Sequence, residues 1–108
     1  MQLTQAELIQ HNQQKYTISG AVDFSTAPVL MKQAAAFFKP YGKSALTKVE
    51  VDLSQITDCN SAGLALMLEM VKDARSNNID LHFKNLPEAL LTIAKAYGVE
   101  SEIRDISQ

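Results

Sequence analysis

Cysteine is almost absent from this chain of 108 residues, in which Cys59 is the only one. A single thiol excludes an intramolecular disulfide framework and a zinc site built from several thiolates. Small secreted domains depend on such cross-links, so we expect this chain in the cytoplasm. Its mass of 11.9 kDa allows a hydrophobic core without them. We therefore expect one domain over residues 1–108.

Long hydrophobic runs and an excess of positive charge are also missing. No apolar stretch approaches the ~20 residues that span a bilayer, and residues 1–5 lack the basic and apolar segments of a secretory signal. Ten Lys and Arg against twelve Asp and Glu give a formal net charge of −2, whereas a nucleic-acid-binding domain needs a basic stripe for the phosphates. We expect neither direct membrane insertion nor a nucleic-acid partner.

No group of residues meets the needs of a catalytic or metal site. The four glycines, at 20, 42, 63 and 98, are too scattered for a phosphate-binding loop. His11 and His82 have no Cys or His at metal-ligand spacing and no serine arranged with them. Asp52 and Asp58 are explained as the polar side of a strand and as a turn residue. We expect a protein without enzyme activity, cofactor or metal.

What the chain does contain is regular hydrophobic periodicity. Tyr16, Ile18 and Val22 follow the two-residue period of a strand with one buried face, whereas Leu30 and Ala34 begin a helical repeat. The first predicted elements are a strand within residues 3–9, a loop over 11–14, a strand over 16–22 and a helix capped by Ser25 and ended by residues 39–42. A strand over 49–53, a turn over 54–60 and a helix over 61–75 follow. The last predicted elements are a strand over 79–83, a helix from Pro87 to Gly98 and a short strand within 99–106. This order predicts an α/β fold, a mixed and partly parallel sheet of about four to five strands covered by about three to four helices.

The second predicted helix carries apolar residues on two faces. The stripe predicted to face the sheet consists of Leu64, Met67, Leu68 and Val71. Leu66 and Met70 fall on nearly the opposite side of the helix. Two alternatives follow: Leu66 and Met70 form an exposed patch that binds a protein, or they are buried under the first or third helix.

The most informative segment is residues 58–66, where a polar turn leads into the second helix. Ser61 stands near the first helical position beside Ala62 and Gly63, so its hydroxyl should be accessible. A helix N-terminus has unsatisfied N–H groups and a partial positive charge, which would stabilise a phosphate on Ser61. We favour the simpler interpretation that Asn60 or Ser61 is an N-cap. Cys59 is either a thiol with a lowered pKa or, as we favour, a small, partly buried turn residue.

Three segments together resemble the STAS domain family (sulfate transporter and anti-sigma-factor antagonist): residues 19–23, 51–54 and 60–66. The resemblance covers nearly the whole chain and implies the STAS fold, a mixed sheet covered by helices. It also implies that Ser61 stands where anti-sigma-factor antagonists carry their phosphorylated serine, with Asp23 as the acidic residue at the end of a nearby strand. Members with this phosphorylation switch usually have Asp before that serine, whereas this chain has Asn60.

Residues 63–68 and 91–97 are most similar to MlaB-like STAS domains, the small cytoplasmic subunits of Mla-type ABC phospholipid transporters. This implies a non-enzymatic accessory subunit that binds the MlaF-like ATPase subunit, attached to the inner membrane through the complex of ATPase and permease. The alternative is an anti-sigma-factor antagonist that binds an anti-sigma factor kinase and is switched by phosphorylation of Ser61. The residues expected to contact the partner are Asp23, Asp58, Asn60, Ser61, Ala62, Gly63, Leu66 and Met70.

Overall fold

Four strands, four α-helices and one 3-10 helix form the part of the chain that the computed structural model describes, residues 6–43 and 45–107. In chain order they are β1 (Glu7–Asn12), β2 (Lys15–Val22), α1 (Ala27–Phe38), a 3-10 helix (Lys39–Lys43), β3 (Thr47–Cys59), α2 (Ser61–Ser76), β4 (Ile79–Lys84), α3 (Glu88–Ala96) and α4 (Glu100–Asp105). None of the helices in these residues is long and apolar enough to cross a membrane.

The strands form one mixed sheet in the order β1-β2-β3-β4. β1 and β2 are an antiparallel hairpin, whereas β2 and β3, and β3 and β4, are parallel pairs. Each parallel pair is connected through a helix, α1 for the first and α2 for the second. The predicted α/β fold is confirmed. Because β2 and β3 run in parallel, their carboxyl ends meet at one edge of the sheet, where Val22 pairs with Cys59.

One face of the sheet is buried and the other is polar. Alternate residues of the strands reach the core, among them Tyr16, Ile18 and Val22 of β2, Val49, Val51 and Leu53 of β3, and Ile79, Leu81 and Phe83 of β4. Leu30, Ala34 and Phe38 of α1 are also buried in the core. On the polar face, Lys84 and Glu50 form an ion pair at 3.5 Å. Most residues of this face are polar and are partly or fully exposed.

The predicted turn over residues 54–60 is wrong, because β3 continues to Cys59. The second half of this strand pairs with the second half of β2, with Gln55 beside Ser19 and Asp58 beside Ala21. Two irregularities in the register accompany this pairing. The side chains of residues 54–58 are mostly exposed, so the segment shows no buried alternation despite being a strand.

The predicted last strand within residues 99–106 is also wrong. Glu100–Asp105 form α4, and the spacing of Val99, Ile103 and Ile106 is the helical spacing of four and three residues. Ile103 and Ile106 are buried in the core. An isolated parallel bridge between Ser107 and Phe83 follows the helix.

The start of the chain and of α1 differ from expectation in detail. The first strand runs from Glu7 to Asn12. Residues 3–5 of the predicted strand lie outside the described residues. The predicted loop over 11–14 shortens accordingly to the two residues between the strands. Ser25 does not cap α1: the N-cap is Thr26, and it makes no side-chain capping bond. Ser25 instead donates its N–H and hydroxyl to Asp23, at 2.9 and 2.7 Å.

Candidate functional site

Asn60 fixes the N-terminus of α2 at the carboxyl edge of the sheet. Its Oδ1 accepts the backbone N–H of Ala62 at 2.8 Å, and its carbonyl accepts the N–H of Gly63 at 2.9 Å. Its own N–H donates to the carbonyl of Val22 at 3.2 Å, which ties the helix to the end of β2. Of the two residues proposed as N-cap, Asn60 is therefore the cap.

Ser61 is the first residue of α2, and its side chain is partly buried. Its hydroxyl forms no hydrogen bond with any residue that the structure describes. Ser61 lines a shallow groove of about 360 Å³, whose other lining residues are Leu64, Ala65, Leu68, Tyr97 and Val99. The serine therefore borders an apolar surface and has no capping role.

Asp23 and Asp58 lie at the same edge of the sheet, because β2 and β3 end side by side. The Oδ1 atom of Asp23 accepts bonds from the Ser25 hydroxyl and from the N–H groups of Ser25 and Thr26, at 2.7, 2.9 and 3.0 Å. These bonds hold the pKa of Asp23 below its ordinary value. The Asp23 carboxylate thus orders the loop before α1, while Asp58 is exposed.

Cys59 is the last residue of β3 and is partly buried. Burial raises the pKa of its thiol, and the neighbouring Asp58 carboxylate raises it further. A raised pKa lowers the fraction of reactive thiolate. The interpretation of Cys59 as a partly buried residue is therefore the right one, although it lies at a strand end rather than in a turn.

Ala62 and Gly63 are buried at the base of α2 rather than displayed on its surface. A methyl group on Gly63 would meet Leu90 Cδ2 at 3.4 Å, Cys59 Cβ at 3.5 Å and Val22 Cγ1 at 3.6 Å. These are ordinary van der Waals distances, so Gly63 packs against α3 and the ends of β2 and β3 with room for a methyl group. Of the residues expected to contact a partner, these two are packing residues in the folded chain.

Leu66 and Met70 are 4% and 0% exposed, so the alternative of burial holds and the exposed patch at these two residues is wrong. Leu66 lies where α2 meets α1, beside Met31. The assignment of Leu68 to the sheet-facing stripe is also wrong, because 39% of Leu68 is exposed. α2 contacts α1, α3 and β4, and these neighbours cover a wider arc of the helix than one stripe.

An exposed apolar surface lies instead around Ala65. Ala65 lines the groove that contains Ser61 and also a second one, of about 260 Å³, whose other lining residues are Phe24, Ala27, Pro28, Met31, Ala62, Leu66 and Glu69. Phe24 and Tyr97, at 71% and 63% exposed, flank the two grooves. We call Phe24, Met31, Ser61, Ala65, Leu68 and Tyr97 the α2 surface.

Sequence reasoning missed Phe24, Ala65 and Tyr97 as candidates for this surface. The available signal was an aromatic residue, Phe24, in the polar segment between β2 and α1, where a core residue is unexpected. The exposure of Ala65 and Tyr97 depends on where α1 and α3 lie beside α2.

Within residues 6–43 and 45–107 there is no group of three or more His, Cys, Asp and Glu that could hold a metal ion. His11 contacts Thr17 on the neighbouring strand at 2.7 Å, and His82 contacts Asp80 at 3.1 Å. These contacts are typical of a polar sheet face. The geometry of the α2 surface is suited to binding a protein, since it offers apolar area and exposed aromatic rings.

Comparison with known proteins identifies the family. A family model described as "Mlab, STAS domain" matches residues 7–105. The chain belongs to the STAS domain family. STAS domains are generally non-catalytic regulatory or accessory domains that mediate contacts between proteins. No curated protein matches the sequence.

Solved STAS domain structures share the fold at low sequence identity. The anti-sigma factor antagonist SpoIIAA in its unphosphorylated form superposes with a TM-score of 0.66 at 11% identity, covering 95% of this chain and 85% of that chain. A sulfate transporter family protein from Wolinella succinogenes gives 0.63 at 11% identity, covering 94% and 80%. An anti-sigma-factor antagonist (STAS) domain protein from Planctomyces limnophilus gives 0.64 at 10%, covering 91% and 86%. These similarities concern the fold alone.

Proposed function

We propose that this STAS domain is a non-enzymatic accessory subunit that binds the ATPase of an Mla-type ABC phospholipid transporter, which maintains the lipid asymmetry of the outer membrane. In this proposal the domain is cytoplasmic and is attached to the inner membrane only through the complex of ATPase and permease. The description of the matching family model, "Mlab, STAS domain", supports this choice of partner.

The observation that carries the proposal is the α2 surface. Phe24, Leu68 and Tyr97 are large apolar side chains that are 71%, 39% and 63% exposed in the folded chain. Aromatic residues beside a shallow groove are the usual anchors of protein interfaces, because they bury much apolar area and lose little conformational entropy. Ala65 between the two grooves lets a partner helix approach the backbone of α2 closely.

Ser61 gives this surface a point of regulation. Its side chain lines the groove and its hydroxyl is unbonded, so a partner on the α2 surface would remove water from it. A phosphate or a carboxylate at this position would have to lose its hydration in the complex. The affinity for the partner should therefore depend on the charge at Ser61.

A second candidate function is an anti-sigma-factor antagonist that is switched by phosphorylation of Ser61. The free hydroxyl of Ser61 at the N-terminus of a 16-residue helix favours it, and SpoIIAA of Bacillus, solved also in its phosphorylated form, is similar in fold at a TM-score of 0.64. Asn60 weighs against it, because its side chain is the cap and no carboxylate stands before the serine.

Affinity purification from the native cell separates the two candidates. The tagged chain should recover an ABC ATPase together with its permease. An Ala65→Arg variant should lose both, whereas Ala36→Arg, the same change at an exposed position of α1 outside the grooves, should keep them. Recovery of an anti-sigma factor kinase without the ATPase would contradict the first proposal and support the second.

A further inference from the structure

A separate groove, of about 570 Å³, runs between the C-terminal half of α2 and α4. Its floor is apolar and consists of Leu68, Val71 and Ile106. Leu68 is 39% exposed, whereas Val71 and Ile106 are 7% and 8% exposed and belong to the core. The floor thus consists of two core side chains and one that is partly exposed to solvent.

The two walls of this groove carry opposite charges. Lys72 and Arg75 line the side formed by α2, and Glu102 and Asp105 line the side formed by α4. In each pair the residues are three positions apart, which places them on the same face of their helix. One wall is therefore cationic along the groove and the other is anionic.

These charges do not neutralise each other across the groove. Lys72, Arg75 and Asp105 form no ion pair or hydrogen bond with any described side chain, and Glu102 accepts only the hydroxyl of Ser101, at 3.2 Å. The neighbouring Arg104 and Glu100, in contrast, pair along α4 at 2.7 Å. The charged side chains of both walls are therefore available to pair with charges of the opposite sign on a partner.

We infer that this groove, defined by Leu68, Val71, Lys72, Arg75, Glu102, Asp105 and Ile106, binds an amphipathic helix of a protein partner. A helix with an apolar ridge, one acidic flank and one basic flank is complementary to the floor and to both walls. Its carboxylates would pair with the α2 wall and its ammonium or guanidinium groups with the α4 wall. The inference does not depend on the proposed function, because the groove shares only Leu68 with the α2 surface.

A synthetic helix is the probe that tests this chemistry. A peptide of about five turns, with leucines along one ridge, glutamates on one flank and lysines on the other, is titrated into the labelled chain and followed by NMR. We expect saturable shifts at Val71 and Ile106 and an affinity that falls with salt. The double reversal Lys72→Glu with Arg75→Glu makes both walls acidic, and it should weaken binding about tenfold or more.

Two controls separate wall pairing from general charge. Reversing Lys39→Glu with Lys48→Glu changes the net charge equally at exposed positions outside the groove and should leave the affinity unchanged. Adding Glu102→Lys and Asp105→Lys to the wall reversal exchanges the two walls, and binding should recover because a helix can enter the groove in the opposite direction.

Four results would overturn the inference. The first is the absence of shifts at the groove. The second is equal binding of a peptide in which glutamine replaces both charged flanks. The third is failure of the exchanged walls to recover binding. The fourth is sedimentation showing that the chain alone dimerises and that the wall reversal Lys72→Glu with Arg75→Glu abolishes the dimer, since the occupant would then be a second copy. These variants leave Phe24, Ala65 and Tyr97 intact, so failure here is distinguishable from failure to bind the ATPase.

Discussion

The Oδ1 atom of Asn60 accepts the backbone N–H of Ala62 at 2.8 Å. Ser61, the candidate residue for regulation, lies between these two in the sequence. Asn60 therefore performs the capping of α2, and Ser61 is left with an unbonded hydroxyl beside an apolar groove. Asn60 thus has a structural role, whereas the side chain of Ser61 is available for contact with a partner.

Replacement of the cap should be costly and replacement of the serine should not. Asn60→Ala should lower the free energy of unfolding by about 1 kcal/mol, because the N–H of Ala62 loses its acceptor. Ser61→Ala should change it by less than about 0.5 kcal/mol. Urea unfolding at neutral pH measures both variants. If Ser61→Ala were as costly as Asn60→Ala, Ser61 would be part of the cap.

A charge at Leu66 should destabilise the domain much more than a charge at Leu68. Leu66→Asp buries a carboxylate at a position that is 4% exposed, and we expect a loss of about 3 kcal/mol or more, enough to unfold much of a marginally stable domain. Leu68→Asp stands at a position that is 39% exposed and should cost less than about 1 kcal/mol. Thermal melts of the two variants measure this difference. Similar melting temperatures would contradict the burial of Leu66 and the exposure of Leu68.

Asp23 should make the domain sensitive to acid. Hydrogen bonds from Ser25 and Thr26 lower the pKa of its carboxyl in the folded state. The stability that this shift contributes is present above the unfolded pKa, about 4, and is lost as the pH falls through the lower folded value. The stability difference between wild type and Asp23→Ala, from urea unfolding, should therefore shrink below about pH 4.

The matched control is Asp23→Asn, whose side-chain oxygen can accept the same bonds without titrating. The difference between the Asn and Ala variants should stay constant with pH, because neither side chain ionises. A wild-type advantage over Asp23→Ala that grows in acid would contradict the role of the Asp23 carboxylate.

A charge at Ser61 should weaken partner binding more than loss of the hydroxyl does. Ser61→Glu should reduce the affinity for the ATPase subunit about tenfold or more, because the carboxylate is desolvated in the complex. Ser61→Ala should change it less than about threefold. The Glu variant alone should be at least as stable as the Ala variant, since the helix N-terminus attracts negative charge. Equal affinities in a binding titration would place Ser61 outside the interface.

Much of this fold follows from local patterns in the sequence. The alternation around Tyr16 and Phe83 predicts β2 and β4, and the turn chemistry at Asn60 predicts the start of α2. The second half of β3 escaped prediction because residues 54–58 are polar except for Ile56, and they form a strand by pairing with β2. Because most side chains of this segment are exposed, its pairing with β2 requires no alternation of apolar and polar residues in the sequence.

The candidate site was harder to predict than the fold. Helical periodicity places Leu66 and Leu68 on different faces of α2, but it does not say which face meets α1. The structure buries Leu66 and exposes Leu68 because α1, α3 and β4 surround α2 on several sides. The α2 surface arises from Phe24, Ala65 and Tyr97, which are brought together only by tertiary packing.

The affinity of the purified domain for the ATPase subunit of the Mla-type transporter, measured by titration calorimetry, is the most direct test of the proposed function. We expect wild type and Ala36→Arg to bind with the same Kd within about twofold, and Ala65→Arg to bind about a hundredfold more weakly. Wild type and both variants should have similar melting curves, because both alanines are exposed. Absence of wild-type binding, or unchanged binding by Ala65→Arg, would contradict the assignment of the α2 surface to this partner.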